Sequence, residues 1–225
     1  MDTPAFTKIH EFACFHKGGE EAVKAGLPRV AAPGDLESLG DDRFLSEMTR
    51  CIFKAGFVWR VIERKWPDFE AAFAGFVPLY WQQVPPEVLE TLARDERIVR
   101  NMQKIRTVPE NARMIVEASR QHGGFGHFLA GWPSDDQVGL LVWLKRNGER
   151  LGGTSAQYFL RRVGWDGFIL STDVVTALRR EQLLDASPVS KKGLAQAQAA
   201  FNAWHRETGL PYSHLSRILA FTVGD

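Results

Sequence analysis

The chain has 225 residues, 44% of them apolar, with 15 Phe and seven Trp; this composition excludes a disordered segment and suits one sizeable domain or two intimate lobes. A formal net charge of only +1 excludes a basic arm that coats nucleic acid indiscriminately, so any anion-binding surface must be local. No apolar run approaches a membrane span, and the opening MDTPAFTKIHEF lacks the basic start and apolar centre of a signal peptide, so a cytoplasmic protein without a membrane partner is expected.

Residues 1–42 are rich in Gly, Pro and charge and read as an N-terminal arm packed on a helical body over 43–225. From Arg43 to about Trp66, apolar residues recur at three- and four-residue steps through Phe44, Met48, Ile52, Ala55, Trp59 and Ile62, which predicts one helix stopped by Pro67. Short helices follow around Glu70 to Phe76 and Glu87 to Leu92, then one over about Glu96 to Arg106. Thr107-x-x-Glu110 reads as a capping box that opens a helix to about Gln121, and His122-Gly123-Gly124 ends it. Ser134-x-x-Gln137 reads as a second box, opening a helix through Leu144. Late in the chain come helices from Asp173 to about Glu181, Gly193 to about Glu207 and Ser213 to about Phe221. No convincing apolar alternation occurs anywhere, so the class is all-α.

Between the helix ending near Arg146 and the next one lies NGERLGGTS. Gly148, Gly152 and Gly153 are expected to supply left-handed backbone and close approach for a tight reversal, with Thr154 and Ser155 at an N-cap. A hairpin that closes on a helix N-terminus turns unpaired N–H groups outward and can seat one phosphate, here among Lys145, Arg146, Arg150, Arg161 and Arg162. The alternative reading of these glycines is an ordinary helix C-cap and turn. Asp173, ahead of VVTAL, reads as a helix N-cap on local grounds.

The pattern Leu144-Lys145-x-x-Gly148-x-x-x-x-Gly153-Thr154, continued by Tyr158 and Gly164, resembles the helix-hairpin-helix of DNA-3-methyladenine glycosylase I. Ala55 to Trp59 (AGFVW), Phe73, Ile98 to Ile105 and Asn111 to Arg113 resemble that family in order and approximate spacing, so the likeness spans about the middle half of the chain. In the wider helix-hairpin-helix glycosylase superfamily, an aspartate some two dozen residues or fewer after the last hairpin glycine does the chemistry. Asp173 lies 20 positions after Gly153.

The resemblance implies an all-α fold of two helical lobes with the hairpin motif at about 137–163, and a monomer acting on double-stranded DNA. It implies a glycosylase that excises a flipped, alkylated, 3-methyladenine-like purine, with Asp173 as the catalytic carboxylate and Gly148, Arg150, Gly152, Gly153, Thr154 and Ser155 at the DNA phosphates. Bifunctional members carry a lysine two residues after the last hairpin glycine. Here that position is Ser155, which implies a water nucleophile and no strand nicking. Trp59 corresponds to the tryptophan that stacks on the base, the alternative being a core tryptophan. The base-reading glutamate of the family falls on Cys51, and Glu47, one turn earlier, is a candidate replacement in the base pocket.

No cofactor or metal is expected. Cys14 and Cys51 are too few for an iron–sulfur cluster, and Cys14 with His16 finds no partner pair near the C-terminus, where His205 and His214 stand alone. Arg100, Asn101 and Lys104 are open to two readings, a phosphate contact or a solvated helix face. Two rival functions remain at this stage: a non-catalytic DNA-binding protein that keeps the hairpin as a clamp, and an interaction module whose hairpin is purely structural. A glycosylase for a different lesion is a further alternative.

Overall fold

The computed structural model describes residues 3–223, and among them the fold is helical throughout, without strands. In chain order the helices are α1 (Phe6–Lys17), α2 (Glu20–Ala25), α3 (Pro33–Glu37), α4 (Asp41–Lys54), α5 (Trp59–Ala72), α6 (Pro78–Trp81), α7 (Pro86–Leu92) and α8 (Met102–Ile105). They continue with α9 (Thr107–His122), α10 (Phe125–Ala130), α11 (Gln137–Asn147), α12 (Thr154–Val163), α13 (Thr172–Arg180), α14 (Lys191–Thr208) and α15 (Tyr212–Phe221). The chain forms two compact units. One comprises the chain up to Ala31, Pro133–Leu140 and the chain from Gly164 onward, and the other comprises Ala32–Trp132 with Leu141–Val163. Residues 1–42, read as an arm, are therefore divided between them.

The first unit brings the two ends of the chain into one core. Phe6, Ile9 and Ala13 of α1 are buried with Val174, Ala177 and Leu178 of α13, Phe201 and Trp204 of α14, and Leu215, Ile218 and Leu219 of α15. Phe201 stacks on Phe168 at 4.6 Å, and Trp204 meets Phe6 at 5.4 Å while its indole N–H donates to the Pro4 carbonyl. The Asp166 carboxylate caps α15 by accepting from the N–H groups of Tyr212 and Ser213 at 3.0 and 2.9 Å. That satisfies two donors which would otherwise be orphaned at the helix start.

In the second unit α4 runs through the centre and packs against α9, α12 and α5. Phe44, Leu45, Met48, Ile52 and Phe53 are buried along it. Its periodicity does not carry on to Trp66 as one helix. Ala55 turns to extended backbone, Gly56 adopts φ +75°, and α5 restarts at Trp59. Pro67 lies inside α5 instead of ending it. The lost backbone bond is outweighed by the face that α5 buries: Trp66 stacks on Phe69 at 4.9 Å and on Phe76 at 5.6 Å, and both Trp66 and Phe69 are in the core. The Trp66 indole also donates to Glu70, which binds Arg43 and Ser46, so the polar edge of this stack is satisfied.

Other local expectations are corrected by the backbone. The helix expected over Glu96 to Arg106 shrinks to the single turn α8, whose N-cap is Asn101 accepting from the Lys104 N–H. Thr107 forms no capping box: its hydroxyl donates back to the Lys104 carbonyl, and α9 starts directly from α8. At α11, Asp136 replaces Ser134 as the cap, accepting from the Gly139 N–H, while the Gln137 amide bonds both the N–H and the carbonyl of Phe168. A further helix, α10, follows the left-handed Gly123 and buries Phe125, Phe128 and Leu129, in a stretch where no element was expected.

Candidate functional site

The hairpin runs from Asn147 at the end of α11 to Thr154 at the start of α12. Its three glycines serve different purposes. Gly153 has φ +58° with open space where a Cβ would stand, so it is the left-handed residue the turn needs. Gly148 is needed for packing, because a Cβ there would meet Leu151 Cδ1 at 2.7 Å and Asn111 Oδ1 at 2.9 Å. Gly152 has only ordinary contact with the Lys145 side chain. The other left-handed residue is Arg150, at φ +57°, whose guanidinium donates to Gln103 Oε1 at 2.8 Å.

Two anchors hold the loop beneath these residues. Leu151 is buried, and the fully buried Asn111 of α9 uses its side-chain amide as a two-way brace. Its Oδ1 accepts from the Glu149 N–H at 2.8 Å and its Nδ2 donates to the Glu149 carbonyl at 3.2 Å. Gly153 and Thr154 are left exposed at the start of α12. The five cations flanking the hairpin in sequence do not all belong to it, since Arg162 turns to Glu47 and Glu63.

Thr154 and Ser155 also line a cavity of about 100 Å3, together with Cys51, Lys54, Ala55, Trp59, Tyr158 and Arg162. It forms because α4 stops at Lys54, α5 begins at Trp59, and α12 passes over the break. Trp59 is 48% exposed, so the reading as a core tryptophan does not describe it. Its ring meets the Tyr158 ring edge to face at 5.0 Å, and Lys54 Nζ lies 5.1 Å from its centroid. The break is locked from behind by Lys104, a residue read as a phosphate contact or a solvated position and instead buried. Its ammonium donates to the carbonyls of Phe53 and Ala55 at 3.1 and 2.5 Å, capping the end of α4. Burial, with the charge of Arg150, lowers that ammonium to about 8.

A charged cluster adjoins the cavity. Glu47 binds Arg162 and, at 3.0 Å, Arg50; Glu63 binds Lys54 and lies 3.4 Å from Arg162. Burial pushes the Glu63 carboxyl up, but the Lys54 hydrogen bond and the neighbouring cations outweigh it, leaving the group below the usual carboxylate range. Glu47 is not among the residues that line the cavity. Cys51 is, and burial pushes its thiol up to about 12. Trp59, Cys51, Thr154 and Ser155 are thus gathered around one space. Lys54 and Arg162 carry its charge, and neither was singled out for the base pocket in the sequence, because they come together only when α4 and α12 pack.

Asp173 belongs to the other compact unit. It does not cap its helix: Ser171 is the N-cap, its hydroxyl accepting from the Val174 N–H at 3.3 Å, and Asp173 is the second residue of α13, exposed. Among the described residues no group of three or more His, Cys, Asp or Glu is placed to hold a metal ion, and no helix is long and apolar enough to cross a membrane.

Residues 37–139 match the family model for methyladenine glycosylase. Over that segment the chain is similar to the methyladenine glycosylases. Its fold is that of solved DNA glycosylases. The 8-oxoguanine glycosylase/lyase of Methanocaldococcus jannaschii, in complex with DNA containing 8-oxoguanine, is 17% identical with a TM-score of 0.55, covering 95% of this chain and 96% of that one. The 3-methyladenine DNA glycosylase I of Staphylococcus aureus is 20% identical with a TM-score of 0.50, covering 73% of this chain and 87% of that one. These likenesses concern the helical fold. The matched family segment holds α4, α5 and the break between them, and so the wall of the cavity that carries Cys51, Lys54 and Trp59.

Proposed function

We propose that this protein is a monofunctional DNA glycosylase that takes a flipped, alkylated purine into the cavity beside Trp59 and hydrolyses its N-glycosidic bond with Asp173 as the essential carboxylate. The match of residues 37–139 to the methyladenine glycosylase model supports a DNA glycosylase for alkylated purines. The finer reading is carried by one observation: Thr154 and Ser155 belong both to the helix start of the hairpin and to the cavity lining. A phosphate held by the N–H groups of that helix start would set its nucleotide next to an exposed tryptophan.

Breaking the bond develops positive charge on the sugar, and a nearby carboxylate stabilises that charge and orients the attacking water. Asp173 suits this part because Ser171 caps α13 and leaves the Asp173 carboxylate uncommitted to its own helix start. Ser155 stands two residues after Gly153 where an amine would be required for a Schiff base, so the product is an abasic site in an uncut strand. Glu47, engaged by Arg50 and Arg162, would act on the pocket by positioning Arg162.

The test is release of bases from alkylated duplex DNA, read together with strand integrity. Asp173→Asn is expected to slow release by about 10²- to 10⁴-fold with the strands left uncut; unchanged release would remove Asp173 from the mechanism. No release from alkylated, deaminated or oxidised DNA, with salt-sensitive duplex binding retained, would instead make the protein a non-catalytic DNA binder.

A further inference from the structure

The charged groups that line the cavity beside Trp59 are one-sided in their hydrogen bonding. They are Lys54 and Arg162, both cations, and they offer donors only. The Glu47 and Glu63 carboxylates are shared among Arg50, Lys54 and Arg162, so two negative charges face three positive ones. The bond to Glu47 uses Arg162 Nε and the bond to Glu63 uses Nη1, which leaves the Nη2 protons for a ligand. Both helices that begin at the cavity, α5 and α12, have no acidic residue in their first turn. The Ala55 carbonyl on the lining already accepts from Lys104, and the Cys51 thiol keeps its proton. The remaining polar lining groups, the hydroxyls of Thr154, Ser155 and Tyr158, can donate or accept.

We propose that this cavity selects, among alkylated purines, those with a carbonyl oxygen at the 6-position over those with an amino group there, with Arg162 reading the oxygen and Lys54 adding positive potential beside it. The selection rests on the glycosylase reading above and names its substrate class: alkylated guanines ahead of alkylated adenines. A 6-oxo group accepts from a guanidinium and satisfies it. A 6-amino group in the same place sets donor against donor at Arg162, leaving the guanidinium unpaired there once water is excluded, and such a loss costs on the order of tenfold in rate or affinity. The choice lies at Arg162, because Lys54 is the more deeply buried of the two, its side chain 8% exposed against 29%.

Duplex DNA methylated on its purines supplies matched substrates: 7-methylguanine with 7-methyladenine, and 3-methylguanine with 3-methyladenine. Each pair shares its methylated position and its charge, and duplex containing hypoxanthine, a 6-oxo purine without the 2-amino group of guanine, separates the contribution of that amino group. The wild type is expected to release the 6-oxo member of each pair at least about tenfold faster. Arg162→Gln is expected to erase most of that ratio while still binding abasic-site duplex, and Arg162→Lys to retain part of it. Equal or faster release of the adenines overturns the proposal and leaves the glycosylase reading standing. An unchanged ratio in an Arg162→Gln protein that binds abasic-site duplex also overturns it, and should that variant fail to fold, the wild-type ratio and Arg162→Lys decide. Release of no base overturns both readings together.

Discussion

At Cys51 the surroundings set the chemistry of the residue. A thiol in an unfolded chain ionises at about 8.5, whereas burial holds this one at about 12. The folded state therefore keeps a proton that the unfolded state has released. Stability from this group is complete below about pH 8.5 and is lost as pH rises towards 12, at no more than about 1.4 kcal/mol per pH unit. Chemical denaturation at pH 8 and pH 10 should show the wild type losing stability relative to Cys51→Ala; an equal loss in both proteins would remove the thiol from the account. Iodoacetamide at pH 8 should label half-buried Cys14 and spare Cys51 until the protein unfolds. Cys51 was legible as a pocket position from the resemblance. Its protonation state was not, because that depends on neighbours supplied by other helices.

The hairpin is held by an element distant in sequence. Asn111 lies 38 residues before Glu149, yet its amide bonds both backbone groups of Glu149 and its Oδ1 fills the space that keeps Gly148 a glycine. Asn111→Ala is expected to destabilise the protein by about 1–3 kcal/mol, measured by denaturant midpoint, and to weaken duplex binding by loosening the loop. Gly148→Ala should cost a similar amount through its clash with Leu151 and Asn111, whereas Gly152→Ala should be nearly neutral. If Gly152→Ala proves the more damaging of the two, the distinction among the glycines is wrong. The hairpin and its flanking helices were readable in the sequence because glycine spacing and apolar periodicity are local signals. The break between α4 and α5 was not: the same three- and four-residue apolar rhythm runs across it, and Lys104, which stabilises the turn, is about fifty residues away.

For the whole molecule, a net charge of +1 makes DNA binding a matter of where the cations stand. Lys145, Arg146 and Arg150 are exposed around the hairpin, while Arg162 is taken up by carboxylates. Three phosphate contacts would give a dependence of log affinity on log salt with a slope of about −3, measurable by fluorescence anisotropy on an abasic-site duplex. A slope near zero would argue against a phosphate-binding hairpin. By itself the sequence determined the helical class, the hairpin, and the twenty-residue interval from Gly153 to Asp173, because each rests on local periodicity, turn chemistry or simple distance along the chain. Only the tertiary structure decided that the first and last helices share a core, that Asn111 braces the hairpin, and that Lys54 and Arg162 meet at one cavity. Each of these depends on groups far apart in sequence becoming neighbours, where burial and pairing, and not residue type alone, fix what a side chain does.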